Sequence, residues 1–259
     1  MFKKIVIFII FSIFVSSTSF SSEQDFQSWI KRFKITALEA GISEKLINDV
    51  MLNVRFLPKV IEYDRYQPEF YEDTFTYIKK RTSRKKIKDG LKLYKKEKKT
   101  IDKVEIDFQV EKELLLALMG IETNFGKYLG KMDIISSLAT LSYDKRRSEF
   151  FTNELLILLN LVDKKIIDKN ILYGSWAGAF GNFQFMPKTI RNYAIDYNKN
   201  NIIELKKYIR DFIILMLSYY LIINFLTYFN LTQYLIIIDD ITSKTFTSQP
   251  QIFTNEPPF

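Results

Sequence analysis

The chain has 259 residues, a net charge of +8, and neither cysteine nor histidine. That length can bury a sizeable core, as one domain or two closely packed lobes. Without Cys or His there is no zinc site of the usual kind, no Ser-His-Asp or Cys-His nucleophile and no disulfide, so acid–base work falls to Asp, Glu, Lys or Tyr.

The first residues read as an export signal. Lys3 and Lys4 form a basic start, Ile5 to Val15 an apolar run, and Ser19-Phe20-Ser21 offers small residues for a signal peptidase. The run is short for a spanning helix, so cleavage near Ser21 and an address in the periplasm are expected. Residues 1–21 contain no Asp or Glu, so removing them lowers the charge to +6. No cysteine follows the apolar run to take a lipoprotein-type anchor.

Phe26, Trp29, Ile30, Phe33, Ala37 and Leu38 recur at helical spacing, and Gly41 follows as a stop. Ser43 caps a second predicted helix through Leu46, Ile47, Val50 and Met51. The pattern breaks at Asp64–Phe70, because Pro68 pushes Gln67 out of helical geometry. Helical sequence resumes over Phe75–Lys80 and Arg84–Lys99, with Ser83 as the cap between them. The basic stretch Lys79–Lys99 reads first as a solvated helical face. Attraction to an anionic cell-wall polymer is the functional alternative, and export argues against nucleic acid.

Val110–Gly120 reads as a helix buried over much of its surface, ending in Met119-Gly-Ile-Glu-Thr-Asn-Phe-Gly126. Glu122 thus lies where an apolar helix gives way to Gly126 and Gly130, at which the backbone turns. A carboxyl group there loses hydration, its pKa rises, and it persists in the protonated form a general acid needs. A lone glutamate near a helix end is nevertheless more often an exposed or paired side chain.

Further helices are predicted over Ile134–Leu141, Arg147–Lys165 and Thr189–Asp196. Between the last two, the glycines of Tyr173–Pro187 imply close backbone approach, to a neighbouring helix or to a ligand. No segment alternates like a strand for long, so the class is mainly α. Phe212–Ile238 is a 27-residue uncharged stretch, long enough for a transmembrane helix but dotted with polar residues. The proline-bearing end, Thr242–Phe259, reads as disordered.

Several blocks in order carry a resemblance: Phe26–Ile42, Asp64–Phe70, Gly120–Gly126, Leu138–Ser142, Arg146-Arg147, Glu149–Phe151 and Gly174–Pro187. Together, over about Gln24 to Leu205, they resemble the lytic murein transglycosylase B family. The resemblance implies a lysozyme-like helical fold that cleaves the β-1,4 bond between N-acetylmuramic acid and N-acetylglucosamine in peptidoglycan. It implies that the muramic acid C6 hydroxyl attacks its own anomeric carbon, leaving a 1,6-anhydro end. By motif position Glu122 is the single catalytic acid/base, Ser175 and Gln184 line the sugar groove, and Arg146 and Arg147 meet the stem peptide. No cofactor is implied, and a monomer is expected, with glycan strands and stem peptides as partners, no nucleic acid, and a membrane only if 212–238 anchors it.

Two departures from the family pattern stand out. Some members carry a calcium loop after the position of Tyr193; here Asn201 replaces its central glycine and Lys207 its closing Glu, so no structural metal is expected. After about Leu205 the family's later segments, which complete the far side of the groove, are not recognisable. The residues 206–259 are therefore read as a divergent apolar tail, frameshift-derived or a membrane anchor, following an incomplete helical domain at 22–205. A catalytically impaired murein-binding fragment is the alternative function.

Overall fold

A computed structural model describes residues 23–67, 71–196, 199–203 and 205. The expected signal at 1–21, the tail at 206–259 and Pro68-Glu69-Phe70 of the Asp64–Phe70 block lie outside the described residues. The described chain is helical as expected, apart from one antiparallel pair of two-residue strands and an isolated Phe180–Phe185 bridge. Among these residues no helix is long and apolar enough to cross a membrane.

The chain divides into two compact units. Of the described residues, the first takes 23–67, Gly130–Phe180 and Phe185–Asn192. It contains α1 (23–39), α2 (Glu44–Met51), α3 (Pro58–Arg65), β1 (Met132–Asp133), α7 (Ile134–Tyr143), α8 (Ser148–Asp163), a 3-10 turn (Lys169–Ile171) and β2 (Tyr173–Gly174). Most of α9 (Pro187–Tyr193) belongs to it too. The second unit takes 71–129, Gly181–Gln184 and the described residues from Tyr193 on, with α4 (Thr74–Arg81), α5 (Arg84–Phe108) and α6 (Lys112–Thr123).

In the first unit α7 is the central element: every residue from Ile134 to Ser142 is buried, and it packs along α8. Its hydroxyls serve the chain laid across it. Ser136 Oγ accepts the Arg55 amide at 3.1 Å, and Thr140 Oγ1 accepts the Leu57 amide at 3.0 Å. Two part-buried backbone donors thereby find partners without a strand. The α1 stripe closes one side with an aromatic cluster of Phe26, Trp29, Phe33, Phe56 and Tyr143. Ser43 caps α2 as expected, and its amide and hydroxyl both donate to the Asp163 carboxylate at the end of α8. That pairing holds Asp163 below the usual carboxylate range.

Two differences from the sequence expectations have local causes. Helix α3 was not anticipated; Pro58 starts it at a position where a missing amide costs nothing, and buried Val60 and Asp64 hold its inner face. Helix α5 begins at the predicted cap, Ser83, but runs on to Phe108. It does so by bending at Glu97 (φ −109°, ψ 19°), which lets Ile101 and Val104 reach the interior.

In the second unit α5 packs against α6. Gly90 and Gly120 leave room there for the Phe125 ring, whose tip would otherwise meet a Cβ at each position. Beside that ring lies a cavity of about 60 Å³ walled by Ile87, Leu91, Leu116, Ala117 and Ile121. Glu113 reaches this cavity, but Glu122 does not line it. Nine residues further on, at about 100° per residue, Glu122 leaves the opposite side of the helix.

Candidate active site

Helix α6 ends in three consecutive left-handed residues, Asn124, Phe125 and Gly126 (φ 50°, 61° and 77°). The Phe125 amide bonds back to the Met119 carbonyl at 3.0 Å, which closes the last turn. The chain therefore leaves the helix sharply, directly after Glu122 and Thr123. Gly126 is needed there twice over. Its φ is left-handed, and a Cβ would come within 2.8 Å of the Asn182 side-chain oxygen.

Glu122 is open to solvent while α6 is otherwise largely buried. Among the described residues it has no hydrogen-bond or salt-bridge partner. The protein packed around its carboxyl hinders ionisation and raises its pKa above the usual value; the Lys86 ammonium opposes this and is the smaller influence. Lys86 is itself held below the ordinary lysine range, by burial first and by Arg81 second. The only other acidic residue within α6, Glu113, lies about 13.5 Å away along the axis and on the opposite side. That exceeds the roughly 5–9.5 Å over which two carboxylates share glycoside cleavage.

The tetrad Gly181–Gln184 belongs to the same unit and is braced to the end of α6. Thr123 Oγ1 donates to the Asn182 carbonyl at 2.8 Å and accepts the Gly126 amide at 3.0 Å. Gln184, itself left-handed (φ 51°), donates its side-chain amide to the Leu129 carbonyl at 3.2 Å and the Gly181 carbonyl at 2.9 Å. Glu122, in the last turn of α6, and Gln184, on the tetrad, thus stand on two segments tied together. Thr123 and Asn182 form that tie and were given no role from sequence, although both stand in motif blocks. The signal was a hydroxyl beside the last helical glutamate, where the end of a helix leaves backbone groups to satisfy.

The other three expected site residues belong to the first unit. Ser175 lies in a tight turn: its amide donates to the Ala179 carbonyl at 2.8 Å, and its hydroxyl accepts the Ala179 amide at 3.0 Å. Arg146 and Arg147 converge on Asp64, which is only 1% exposed. Arg146 bonds one carboxylate oxygen at 2.8 Å and also the Asp64 carbonyl, while Arg147 bonds the other oxygen. Both guanidinium side chains remain partly exposed, and Arg147 lies 4.8 Å over the Phe151 ring. Asp64 is the residue that sequence reading passed over; its buried carboxylate unites the two.

The glycine-rich segment packs against protein. A Cβ at Gly178 (φ 92°) would overlap the Leu138 side chain of α7. After Tyr193, the Asp196 carboxylate accepts the amides of Asn200 and Asn201. No group of three or more acidic side chains that could hold a metal occurs among the described residues.

Residues 25–221 match the family described as "Transglycosylase SLT domain". SltB3 from Pseudomonas aeruginosa, solved in complex with NAG-NAM-pentapeptide, superposes with a TM-score of 0.69 at 30% identity, covering 72% of this chain and 50% of that one. The Escherichia coli lytic transglycosylase Slt35, solved in complex with calcium, gives a TM-score of 0.63 at 26% identity, over 71% of this chain and 59% of that one. Membrane-bound lytic murein transglycosylase B of Escherichia coli strain K12 is 32% identical over 130 residues, which are 50% of this chain and 36% of that protein. The chain therefore spans about half the length of the first solved relative and about a third of the sequence relative. These likenesses bear out the mainly α, lysozyme-like fold.

Proposed function

The chain belongs to the transglycosylase SLT domain family, and we propose that it cleaves the MurNAc-β-1,4-GlcNAc bond of peptidoglycan without water, leaving 1,6-anhydroMurNAc ends. The observation that carries this reading is Glu122: a carboxyl with a raised pKa and no hydrogen-bond or salt-bridge partner among the described residues, at the sharply turned end of a buried helix. A protonated Glu122 would donate to the glycosidic oxygen as the C1–O bond breaks. The resulting carboxylate would then take the proton of the muramic acid C6 hydroxyl as that oxygen bonds to C1. The nucleophile is part of the substrate and already held close, so a single carboxyl is enough.

Gln184 would stand beside the acid on the braced loop, using its side-chain oxygen while its amide group is engaged. Ser175 has a hydroxyl hydrogen to donate while its oxygen accepts from Ala179. Arg146 and Arg147 share one carboxylate, so the cluster keeps an excess positive charge for the carboxylates of a stem peptide. The export features of residues 1–21 support action in the periplasm.

The test is mass spectrometry of murein sacculi digested by the full chain and by its Glu122→Gln variant. Anhydro-ended muropeptides are expected from the wild type and none from the variant. Reducing-end products would overturn the non-hydrolytic reading, and sedimentation with sacculi without release would indicate a binding fragment.

A further inference from the structure

The stretch Lys79–Lys99 contains twelve Lys and Arg residues and two carboxylates, a net +10, so the remainder of the chain carries −2. The protein's basic character therefore resides in α4 and α5. Within α5, Lys85, Lys88, Lys92 and Lys95 recur at intervals of three and four, which aligns them on one face; Lys99 follows just past the bend. All five are exposed, as is Arg84, and none of the six makes a salt bridge among the described residues. Asp89, the one carboxylate between Lys85 and Lys95, is bonded to Lys127; Lys85 and Lys92 act on it only at longer range.

The opposite face of α5 is occupied. Gly90 is buried there, and Ile87, Leu91 and Tyr94 line the cavity shared with α6. The row from Lys85 to Lys95 therefore faces away from the packed side, over about 15 Å of helix before the bend. Like charges at these spacings repel one another, and Asp89, set among them but bonded to Lys127, offsets that repulsion only in part.

We propose that this face of α5 is a docking surface for an anionic phospholipid bilayer. Up to the bend at Glu97 the helix presents Lys85, Lys88, Lys92 and Lys95 along one line that lies flush on a plane, with Lys99 just beyond it. Lysines on flexible stems suit a diffuse field of headgroup phosphates better than a shaped carboxylate, which favours arginine forks. Exposed aromatics belong to the same unit: Tyr71 is 72% and Phe75 70% exposed, with the Lys79 ammonium 5.9 Å from the Phe75 ring centre. Aromatic rings beside lysines are the side chains that settle at a membrane–water boundary.

The full chain is tested by cosedimentation with phosphatidylcholine vesicles made with and without phosphatidylglycerol. Alongside it goes a variant with Lys85, Lys88, Lys92, Lys95 and Lys99 all changed to Gln. The wild type is expected to bind only the anionic vesicles, and to release them as salt rises from about 0.1 M to about 1 M and the screening length falls from about 10 Å to about 3 Å. The glutamine variant should bind at least about tenfold more weakly, and a variant with arginine at the same five positions should bind like the wild type. Equal binding by the glutamine variant overturns the proposal, as does salt-insensitive binding to neutral vesicles, which would point to the apolar stretch 212–238 instead. Lysine-dependent binding to murein sacculi or nucleic acid, without binding to vesicles, overturns it too. Circular dichroism of the glutamine variant separates lost charge from lost fold.

Discussion

Thr123 and Asn182, fifty-nine residues apart in the chain, are joined by a 2.8 Å hydrogen bond from a side-chain hydroxyl to a backbone carbonyl. Thr123 is buried and follows Glu122 directly, so this bond fixes the end of α6 against the loop that carries Gln184. Thr123→Val keeps the shape and removes the hydroxyl, leaving the Asn182 carbonyl and the Gly126 amide without it. A loss of about 1–3 kcal/mol is expected in urea unfolding, together with slower release of anhydro-muropeptides. Thr123→Ser retains the hydroxyl and should recover most of both.

Glu122→Gln tests the acid/base role at nearly constant shape. Turnover should fall by about 10²–10⁴, while the unfolding temperature at neutral pH should equal or exceed that of the wild type, because the raised pKa makes the ionised carboxylate unfavourable in the fold. Because the Glu122 pKa is raised above its ordinary 4.5, the rate of the step that needs its proton should decline as pH climbs past that raised value. A pH–rate profile that stays flat across this region would contradict the assignment.

Glu154 gives a pH signature of stability separate from catalysis. Its carboxylate is 1% exposed and accepts the Lys188 amide at 2.8 Å. Burial raises its pKa, more than the Lys188 amide and the neighbouring charges lower it. The folded state therefore holds a proton that the unfolded state releases near pH 4.5, so this group's contribution to stability falls as pH rises from 4.5 through the folded pKa. Glu154→Gln has no such loss. Its stability relative to the wild type should improve across that window and then level off, as read from unfolding midpoints at stepped pH.

The Asp64 cluster separates structure from recognition. Asp64→Ala leaves two guanidinium groups without their shared partner, and a loss of roughly 3 kcal/mol is expected, tempered by the partial exposure of both arginines. Arg146→Gln leaves the Asp64–Arg147 contact in place. It should lower kcat/KM about tenfold on peptide-bearing glycan, the size of one lost charged hydrogen bond, and change it little on glycan stripped of peptide. Equal losses on the two substrates would remove the arginine from peptide recognition.

Gly178→Ala probes the glycine-rich segment as packing. The left-handed backbone costs an alanine about 1–2 kcal/mol, and the overlap with Leu138 adds about 1–3 kcal/mol. A lowered denaturant midpoint is the measure.

Periodicity and cap chemistry make much of this molecule legible in its sequence. The helical stripe from Phe26 to Leu38, the caps Ser43 and Ser83, the buried helix leading to Glu122 and the mainly helical class all follow from spacings within one element, and they recur in the structure. Ordered motif blocks pointed to the family that residues 25–221 match. Helix α3 and the continuation of α5 past Glu97 were not legible. Each depends on side chains such as Val60 and Ile101 finding a partner from elsewhere in the chain.

The sequence by itself determined which residue types could do chemistry, since a chain without His or Cys leaves carboxyl groups to handle protons. It also placed Glu122 at the end of an apolar helix. Only the tertiary structure decided that Thr123 is tied to Asn182, that Arg146 and Arg147 share Asp64, and that the lysines of α5 line up away from its packed face. The reason is physical. Helix formation is encoded in neighbours three or four residues apart, whereas a hydrogen bond across 59 residues or an ion pair across 82 exists only once packing has brought the chain back on itself.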